Sequence, residues 1–258
     1  MTDHIITELG GLRVDAPAGL EDAVLVAVGL ADHYVTRPTP LGEVYVAFNG
    51  RGVSAVDVAG DRDSFEARFF IDHGRRAIPT DEIPERIARH LDTAIAAGRP
   101  GRLPIDLRGL TEFQTAVLLR TATIPRGEVR PYGWVAKEIG KPGAVRAVGT
   151  ALAHNPVPVI IPCHRVVRSD GTLGEYSLGD PENKRTLLEA EGLDIDAFTA
   201  LSSRGIRFIG SDTTRVFCHP TCGRGSLITD RHRHDFADET EARAAGYRPC
   251  KVCRPVAA

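Results

Sequence analysis

The amino-acid sequence predicts a fold in three parts: an α/β amino-terminal domain, a mainly helical domain with a helix-turn-helix, and a small zinc-stapled α+β module at the carboxy terminus. Three observations lead to this prediction. Apolar residues alternate over residues 41–59, they recur at helical spacing after residue 107, and four of the five cysteines form two close pairs near the end. We place the domains at residues 1–106, 107–196 and 203–258.

Two segments predict the amino-terminal domain. Apolar residues alternate on either side of a turn at Asn49-Gly50, which is typical of a β-hairpin: Val44, Val46, Phe48, Val53, Ala55 and Val56. Residues 83–98 predict an amphipathic helix with a glycine stop at Gly98, because isoleucine and leucine recur every four residues: Ile83, Ile87, Leu91 and Ile95.

Three helices are predicted in the second domain. The first begins at a capping box formed by Thr111 and Gln114. The second covers residues 131–140, and the third covers residues 141–155 with Pro142 in its first turn. Because a short glycine-containing turn joins the second helix to the third, the pair resembles a helix-turn-helix.

The third of these helices is rich in glycine and alanine, which leaves one face nearly free of bulk. Tight packing against other helices is the commoner reason for such a face. Close approach to a nucleic acid is the alternative, and Arg146 favours it because the helix is otherwise poor in charge. The sequence pattern leaves both interpretations open.

Length and charge exclude few functions. The chain has 258 residues, 42% of them hydrophobic, and a formal net charge of −2, so any nucleic-acid surface must be a local patch. The amino terminus lacks the charged and apolar regions of a secretory leader, and no stretch approaches the roughly 18 apolar residues of a membrane helix. We expect a cytoplasmic protein with no membrane partner.

The fifth cysteine, Cys163, follows an apolar run and precedes His164 and Arg165 in "IIPCHRVV". A buried structural thiol would explain the apolar run, but not the basic neighbours. A reactive thiol needs a base, and on an extended segment His164 would point away from Cys163 and act through a water. A third group would orient the imidazole, and Glu189 and Glu191 are the candidates.

Five segments carry a family resemblance by their order and spacing: "FQTAVL", "IPRGEVRPYG", "RAVGTALAHNPVPVIIPCHRVV", "SDGTLGEYSLG" and "KRTLLEAEG". Together they closely resemble the O6-alkylguanine-DNA alkyltransferases, also called methylated-DNA-protein-cysteine methyltransferases. The resemblance is specific over residues 107–192 and looser over residues 34–106, and residues 1–33 lie outside it.

The resemblance implies DNA repair by a single-turnover methyltransferase. Cys163 would take an alkyl group from O6 of guanine, with O4-alkylthymine as a second candidate lesion, and keep it as a thioether. His164, through a water, and Glu191 would form the family's proton relay. Asn155 would brace the active-site loop. The implied partner is alkylated double-stranded DNA, bound by a monomer that is associated with the nucleoid while on DNA.

The resemblance also implies how the base is reached. The lesion must be flipped out of the duplex at a cost of a few kcal/mol. Arg146 would fill the gap left in the stack, and Tyr132 would crowd the phosphate and contact the flipped guanine. Tyr176 and Ser177 would line the base pocket. Leu178 departs from the glycine of some members, which should narrow the pocket and disfavour bulky adducts.

Two other classes compete with this interpretation. A non-catalytic sensor of alkylated DNA shares the family's fold but replaces the cysteine, and Cys163 is present. A cysteine hydrolase would need an oxyanion hole and an acyl pocket, which nothing in the sequence suggests. An assay with alkylated DNA separates the three.

The four remaining cysteines, in "FCHPTC" and "PCKVC", predict one closed zinc site: Cys218, Cys222, Cys250 and Cys253. Free cysteines or disulfides are the alternative, but a module of this size can hardly bury enough core without a staple. His219, His232 and His234 could replace a ligand, although we expect them at the surface. The module is locally basic, which suits holding DNA.

The module resembles the metal-binding domain of the bacterial adaptive-response regulator Ada over residues 207–255. That resemblance implies that Cys218 could accept a methyl group from a phosphotriester of the DNA backbone, or could serve only as a zinc ligand. Here the module follows the alkyltransferase region, its start is shortened, and the chain ends five residues beyond Cys253. We therefore expect no transcription control.

Overall fold

The computed structural model describes residue 17 and residues 19–255 of the chain. Its amino-terminal part is a four-stranded sheet of order β3-β2-β1-β4, in which only the β1–β4 pair is parallel. The strands are β1 (Ala31–Thr39), β2 (Gly42–Phe48), β3 (Val53–Val58) and β4 (Arg76–Pro79). The helices are α1 (Leu20–Ala27), α2 (Arg62–His73) and α3 (Glu85–Ala97).

The predicted hairpin is confirmed by the antiparallel pairing of β2 with β3, where Val46 lies opposite Val56. The alternation understates the burial, because all five residues from Val44 to Phe48 are buried. One face of the sheet packs on the main core. The other is covered by α2, whose Phe65 and Phe69 contact Tyr45 and its neighbours.

The predicted helix over residues 83–98 is α3, which starts at Glu85 and ends at Gly98. Ile87 and Leu91 are buried in the core, as the spacing predicts. Ile83 lies before the first turn. Gly98 takes the left-handed conformation, with φ 55°, that glycine adopts without penalty.

The second part of the chain is mainly helical, and its three predicted helices are present. The helices are α4 (Glu112–Thr121), α5 (Tyr132–Glu138), α6 (Val145–Ala153), α7 (Pro181–Ala190) and α8 (Ile195–Ser203). The short strands β5 (Arg130–Pro131) and β6 (Val166–Val167) pair in parallel. The capping box of Thr111 and Gln114 at the start of α4 is confirmed.

The prediction that Pro142 opens the third helix is wrong. The Ala144 amide donates to the Lys141 carbonyl and closes a turn, and α6 starts only at Val145. A proline at the first helical position and a proline in a tight turn need the same φ, so the sequence pattern did not distinguish them.

One hydrophobic core joins the first two parts of the chain. It contains sheet residues such as Val46 and Phe48 together with Val117, Leu118 and Cys163. Residues on both sides of the predicted boundary at 106/107 therefore belong to the same core. The bounds of the three domains stay predictions. Every helix in the described part of the chain is too short or too polar to cross a lipid bilayer.

The third part is a small α+β unit with a sheet of order β10-β8-β7-β9. Its elements are β7 (Phe208–Ser211), β8 (Val216–Cys218), β9 (Arg233–Phe236), α9 (Glu239–Ala244) and β10 (Arg248–Pro249). Its own apolar cluster is small: Phe208, Phe217, Phe236, Ala242 and Tyr247. An apolar cluster of this size is too small to stabilise the module alone. A metal ion bound by the four cysteines would supply the additional cross-link.

Candidate active site and metal centre

Cys163 lies in a short 3₁₀ turn, Cys163–Arg165, and its side chain is 5% exposed. The turn differs from the extended segment expected from the sequence. The Sγ atom lies 3.3 Å from Ser177 Oγ and accepts a hydrogen bond from Asn155 Nδ2, also at 3.3 Å. The thiol is therefore held between two predicted site residues.

Asn155 is buried just past the end of α6 and ties the following loop together. Its Nδ2 also donates to the Ile161 carbonyl at 2.9 Å, and its Oδ1 accepts from the Val157 amide at 3.1 Å. One side chain thus fixes the loop that carries Cys163 and contacts the sulfur itself.

His164 and Glu191 meet in a buried pair, with His164 Nε2 2.9 Å from Glu191 Oε1. Of the two candidate carboxylates, Glu191 occupies this position and Glu189 is paired with Arg185 at the surface. His164 Nδ1 is buried and has no protein partner among the described residues. It is the nitrogen left to accept a proton, while Glu191 orients the ring.

Arg165, absent from the predicted site, fixes Glu191. Its guanidinium is fully buried and bonds both carboxylate oxygens of Glu191, with Nε to Oε2 at 2.9 Å and Nη2 to Oε1 at 2.6 Å. It also donates to the carbonyls of Ile124 at 2.7 Å and Ala97 at 2.9 Å. An arginine inside the apolar run "IIPCHRVV" is the signal that could have indicated a buried ion pair.

These contacts set the protonation states of the relay. Burial lowers the pKa of His164 although Glu191 opposes the shift, so the imidazole is neutral at pH 7. Burial would raise the pKa of Glu191, but hydrogen bonds from His164 and Arg165 outweigh it and lower the pKa to about 2. A neutral imidazole beside a carboxylate can accept a proton and be stabilised as the cation.

Burial raises the pKa of the Cys163 thiol, and the bonds from Ser177 and Asn155 oppose the shift only in part. The resting group is a thiol, so its reaction needs a base. Lys184, also absent from the predicted site, is buried, and its charge lowers the pKa of Cys163. Its Nζ donates to the Val166 carbonyl at 2.6 Å, and burial lowers its own pKa to about 8.

The residues expected to line the pocket for the flipped guanine belong to the same apolar cluster as Cys163. Tyr176 is buried and its ring stands edge-on to His164, with centroids 6.2 Å apart. Leu178 is also buried. Tyr132 is the first residue of α5 and half-buried, and burial raises the pKa of its hydroxyl.

The exposed face of α6 carries small residues beside Arg146. Ala151 and Leu152 face the core, whereas Val145, Arg146 and Ala147 are exposed. Small residues on the outward face do not serve helix packing. This exposure favours the nucleic-acid interpretation of the glycine- and alanine-rich helix.

The four paired cysteines form one cluster, with their sulfur atoms all within 4.8 Å of one another: Cys218, Cys222, Cys250 and Cys253. Four sulfurs at Zn–S distances of about 2.3 Å in a tetrahedron are separated by about 3.8 Å, so the donor set fits zinc after small adjustments. His219 is buried, so the expectation that it lies at the surface is wrong. It packs on Phe208, with ring centroids 5.4 Å apart.

Cys218 and Cys250 also line a cavity of about 460 Å³ that opens to solvent. Its other walls include the basic residues Arg224, Arg248 and Lys251. Two of the four sulfur ligands thus lie under a positively charged depression, a setting that favours an anionic ligand.

Two regions of the chain match known protein families. Residues 112–193 match the family model described as the 6-O-methylguanine DNA methyltransferase DNA-binding domain, and residues 200–256 match that of the metal-binding domain of Ada. The methylated-DNA–protein-cysteine methyltransferase of Mycobacterium bovis is 53% identical over 162 residues, which are 62% of this chain and 92% of that protein. The chain belongs to this methyltransferase family.

This methyltransferase is also similar to a second curated protein and to a solved structure. The bifunctional transcriptional activator/DNA repair enzyme Ada of Escherichia coli is 40% identical over 169 residues, 63% of this chain and 46% of that protein. The Mycobacterium tuberculosis OGT structure in complex with DNA has 33% identity and a TM-score of 0.49, and covers 65% of this chain and 99% of that chain. Both predicted resemblances, to the methyltransferases and to the Ada metal-binding domain, are confirmed by the family models and the curated relatives.

Proposed function

We propose that this methyltransferase repairs double-stranded DNA by moving one methyl group from O6 of guanine to Sγ of Cys163. The observation that carries the proposal is the buried thiol held by Asn155 and Ser177 beside the His164–Glu191 pair. A sulfur held at a fixed point, with a neutral imidazole next to it, suits displacement at a saturated carbon.

In this reaction the Cys163 sulfur forms a bond to the methyl carbon as the bond from that carbon to O6 breaks. The electron pair of the broken bond returns to the guanine ring. The thiol proton passes through a water to His164, and guanine takes up one proton, so the products are S-methylcysteine and unmodified guanine. Because the thioether is stable, each molecule acts once.

DNA binding is assigned to α5 and α6, which we interpret as the predicted helix-turn-helix. The small outward residues of α6 let it approach the minor groove, and Arg146 fills the space left by the flipped base. Tyr132 contacts the flipped guanine, Tyr176 and Ser177 line the base pocket, and buried Leu178 narrows it in favour of methyl over bulky adducts.

The direct test is the mass of the intact protein after incubation with duplex DNA containing O6-methylguanine. We expect one added methyl group, located on Cys163 by peptide mass. Cys163→Ala should bind the lesion without gaining the methyl. If the wild type binds the lesion and gains no methyl, the chain is a lesion sensor and the proposal is wrong.

The metal-binding module supports a second activity, transfer of a methyl group from a backbone phosphotriester to Cys218. The basic cavity over Cys218 favours it, because a zinc-bound thiolate there would meet the phosphate. Full-length Cys163→Ala, treated with DNA carrying methylphosphotriesters, should gain a methyl on Cys218. No gain, with zinc still bound, would leave the module a structural or DNA-holding unit.

Zinc is proposed at one ion per chain, held by the four cysteine thiolates. When bound it supplies a closed structural site and keeps the sulfurs ionised. Metal analysis of protein purified without chelator tests the ratio. A monomeric state, a cytoplasmic location and association with the nucleoid stay predictions.

A further inference from the structure

The two cysteine turns of the metal-binding module contact the alkyltransferase region directly. In the first turn, residues 218–223, Thr221 Oγ1 accepts a hydrogen bond from the Val129 amide at 2.9 Å. The Gly223 amide donates to Glu128 Oε1, also at 2.9 Å. This turn therefore holds the backbone just before β5, the strand that leads into α5.

The second turn, residues 250–254, contacts α5 itself. Trp134 Nε1 donates to the carbonyl of Cys253 at 2.8 Å, and Glu138 Oε2 pairs with Arg254 Nη2 at 2.8 Å. Trp134 and Glu138 are four residues apart and so lie on one face of α5. The indole is 4% exposed and packs under the Arg120 guanidinium, 4.8 Å from the ring centroid.

Each turn carries two of the four sulfur atoms, so a bound metal would fix the shape of both. The module's own apolar cluster has five residues, which is too few to fix two sulfur-bearing turns without the ion. What the turns hold is the segment from Glu128 to Glu138, and Tyr132 is the first residue of the helix inside it. A change in the shape of the two cysteine turns would therefore move α5, and Tyr132 with it.

We propose that the four-cysteine zinc site positions the DNA-binding helices of the alkyltransferase region, with Trp134 as the main positioning residue. The inference rests on the proposed function and deepens it. Zinc then acts on duplex binding from outside the catalytic site, while the thiol of Cys163 and the His164–Glu191 pair stay as they are.

Trp134 is the only tryptophan in the chain, so its fluorescence reports on this contact alone. Full-length protein is treated with a chelator under reducing conditions and then given zinc again. We expect the emission to move to longer wavelength as the indole is exposed, and to return when zinc is restored. An emission spectrum that does not change while the metal is lost would overturn the proposal.

DNA affinity gives the second measurement. Removing zinc should weaken binding of unmodified duplex roughly 5- to 150-fold, the range of ordinary coupling between sites. Trp134→Phe keeps the ring under Arg120 and loses only the N–H donor, so with zinc still bound it should weaken duplex binding roughly 2- to 10-fold. Tyr45→Phe is the matched control, because it loses one hydrogen bond, to the Gly60 carbonyl, in the distant sheet.

Methyl transfer from the free base O6-methylguanine separates this proposal from the proposed function. We expect zinc removal to leave that reaction within about twofold while transfer from duplex DNA falls with affinity. Equal losses on both substrates would mean general unfolding and overturn the coupling. No transfer to Cys163 from either substrate, in zinc-bound wild type, would instead overturn the proposed function.

Discussion

Gly98 lies where the structure has no room for a side chain, and Gly98→Ala tests how strongly the relay depends on this. A Cβ atom there would overlap Arg165 Nη2 and lie 3.0 Å from Glu191 Oε1. The guanidinium cannot retreat, because it is fully buried and already donates to the Ile124 and Ala97 carbonyls. The substitution should therefore separate Arg165 from Glu191.

The matched control is Gly74→Ala. Gly74 ends α2 with φ 65°, close to the φ 55° of Gly98, and a Cβ there meets nothing within 4 Å. The left-handed backbone alone costs about 1–2 kcal/mol for alanine. Disrupting a buried ion pair costs about 3–5 kcal/mol, so Gly98→Ala should lower the free energy of unfolding by about that much more than the control.

Urea unfolding of both variants measures this difference, and single-turnover methyl transfer measures its effect on the relay. Because Glu191 would no longer be held against His164, the rate of Gly98→Ala should fall about 10-fold or more, under conditions where it is folded. Gly74→Ala should react at the wild-type rate. Equal unfolding free energies, or a wild-type rate for Gly98→Ala, would refute the reasoning.

Three further predictions concern Lys184, Arg146 and the His164–Glu191 pair. Lys184→Met removes a charge that lowers the pKa of Cys163, so transfer at pH 7 should be slower than in wild type. The difference should shrink above pH 8, because Lys184 has a pKa of about 8 and loses its charge there; single-turnover rates of both proteins check this, and equal rates at pH 7 contradict it. Arg146→Ala should reduce transfer from duplex DNA far more than transfer from the free base, and equal losses would argue against the finger role. The pKa values of His164 and Glu191 are both depressed in the folded state, so the unfolded chain binds more protons in acid. The free energy of unfolding should fall below pH 6.5, the ordinary pKa of histidine, and fall further between about 4.5 and 2; urea titrations that show no loss would contradict this.

Features encoded in neighbouring residues were predictable from the sequence. The hairpin of β2 and β3, the end of α3 at Gly98 and the capping box of α4 each follow from a short local pattern. The four-cysteine cluster was predictable for a related reason, because each close pair of cysteines can bind one metal ion and the fold has only to bring two pairs together. In these cases tertiary packing confirmed a preference already present locally.

Contacts between distant segments were not predictable in the same way. The Trp134–Cys253 bond joins residues 119 positions apart, and no periodicity announces it. The buried Arg165 guanidinium bonds Glu191 at the end of α7, the last residue of α3 and the turn before β5. The ion pair therefore forms only when these three distant segments are packed together. Its only sequence signal is an arginine within an apolar run, which leaves the partner open. Likewise the 3₁₀ turn at Cys163 is set by Asn155 and the packed core.

The pH dependence of transfer distinguishes two ways in which Cys163 can react. Since burial raises its pKa, a reaction through the free thiolate should accelerate about tenfold per pH unit below that pKa. If neutral His164 takes the proton as the bond to carbon forms, the rate should instead be flat while His164 stays neutral. Burial lowers the pKa of His164, so the flat region should extend below pH 6.5.

His164→Gln can still donate to Glu191 but cannot accept the proton. Its transfer rate should therefore be lower than that of wild type and should rise about tenfold per pH unit. Rising profiles for both proteins, measured by single-turnover transfer from the free base, would show that His164 is not the base.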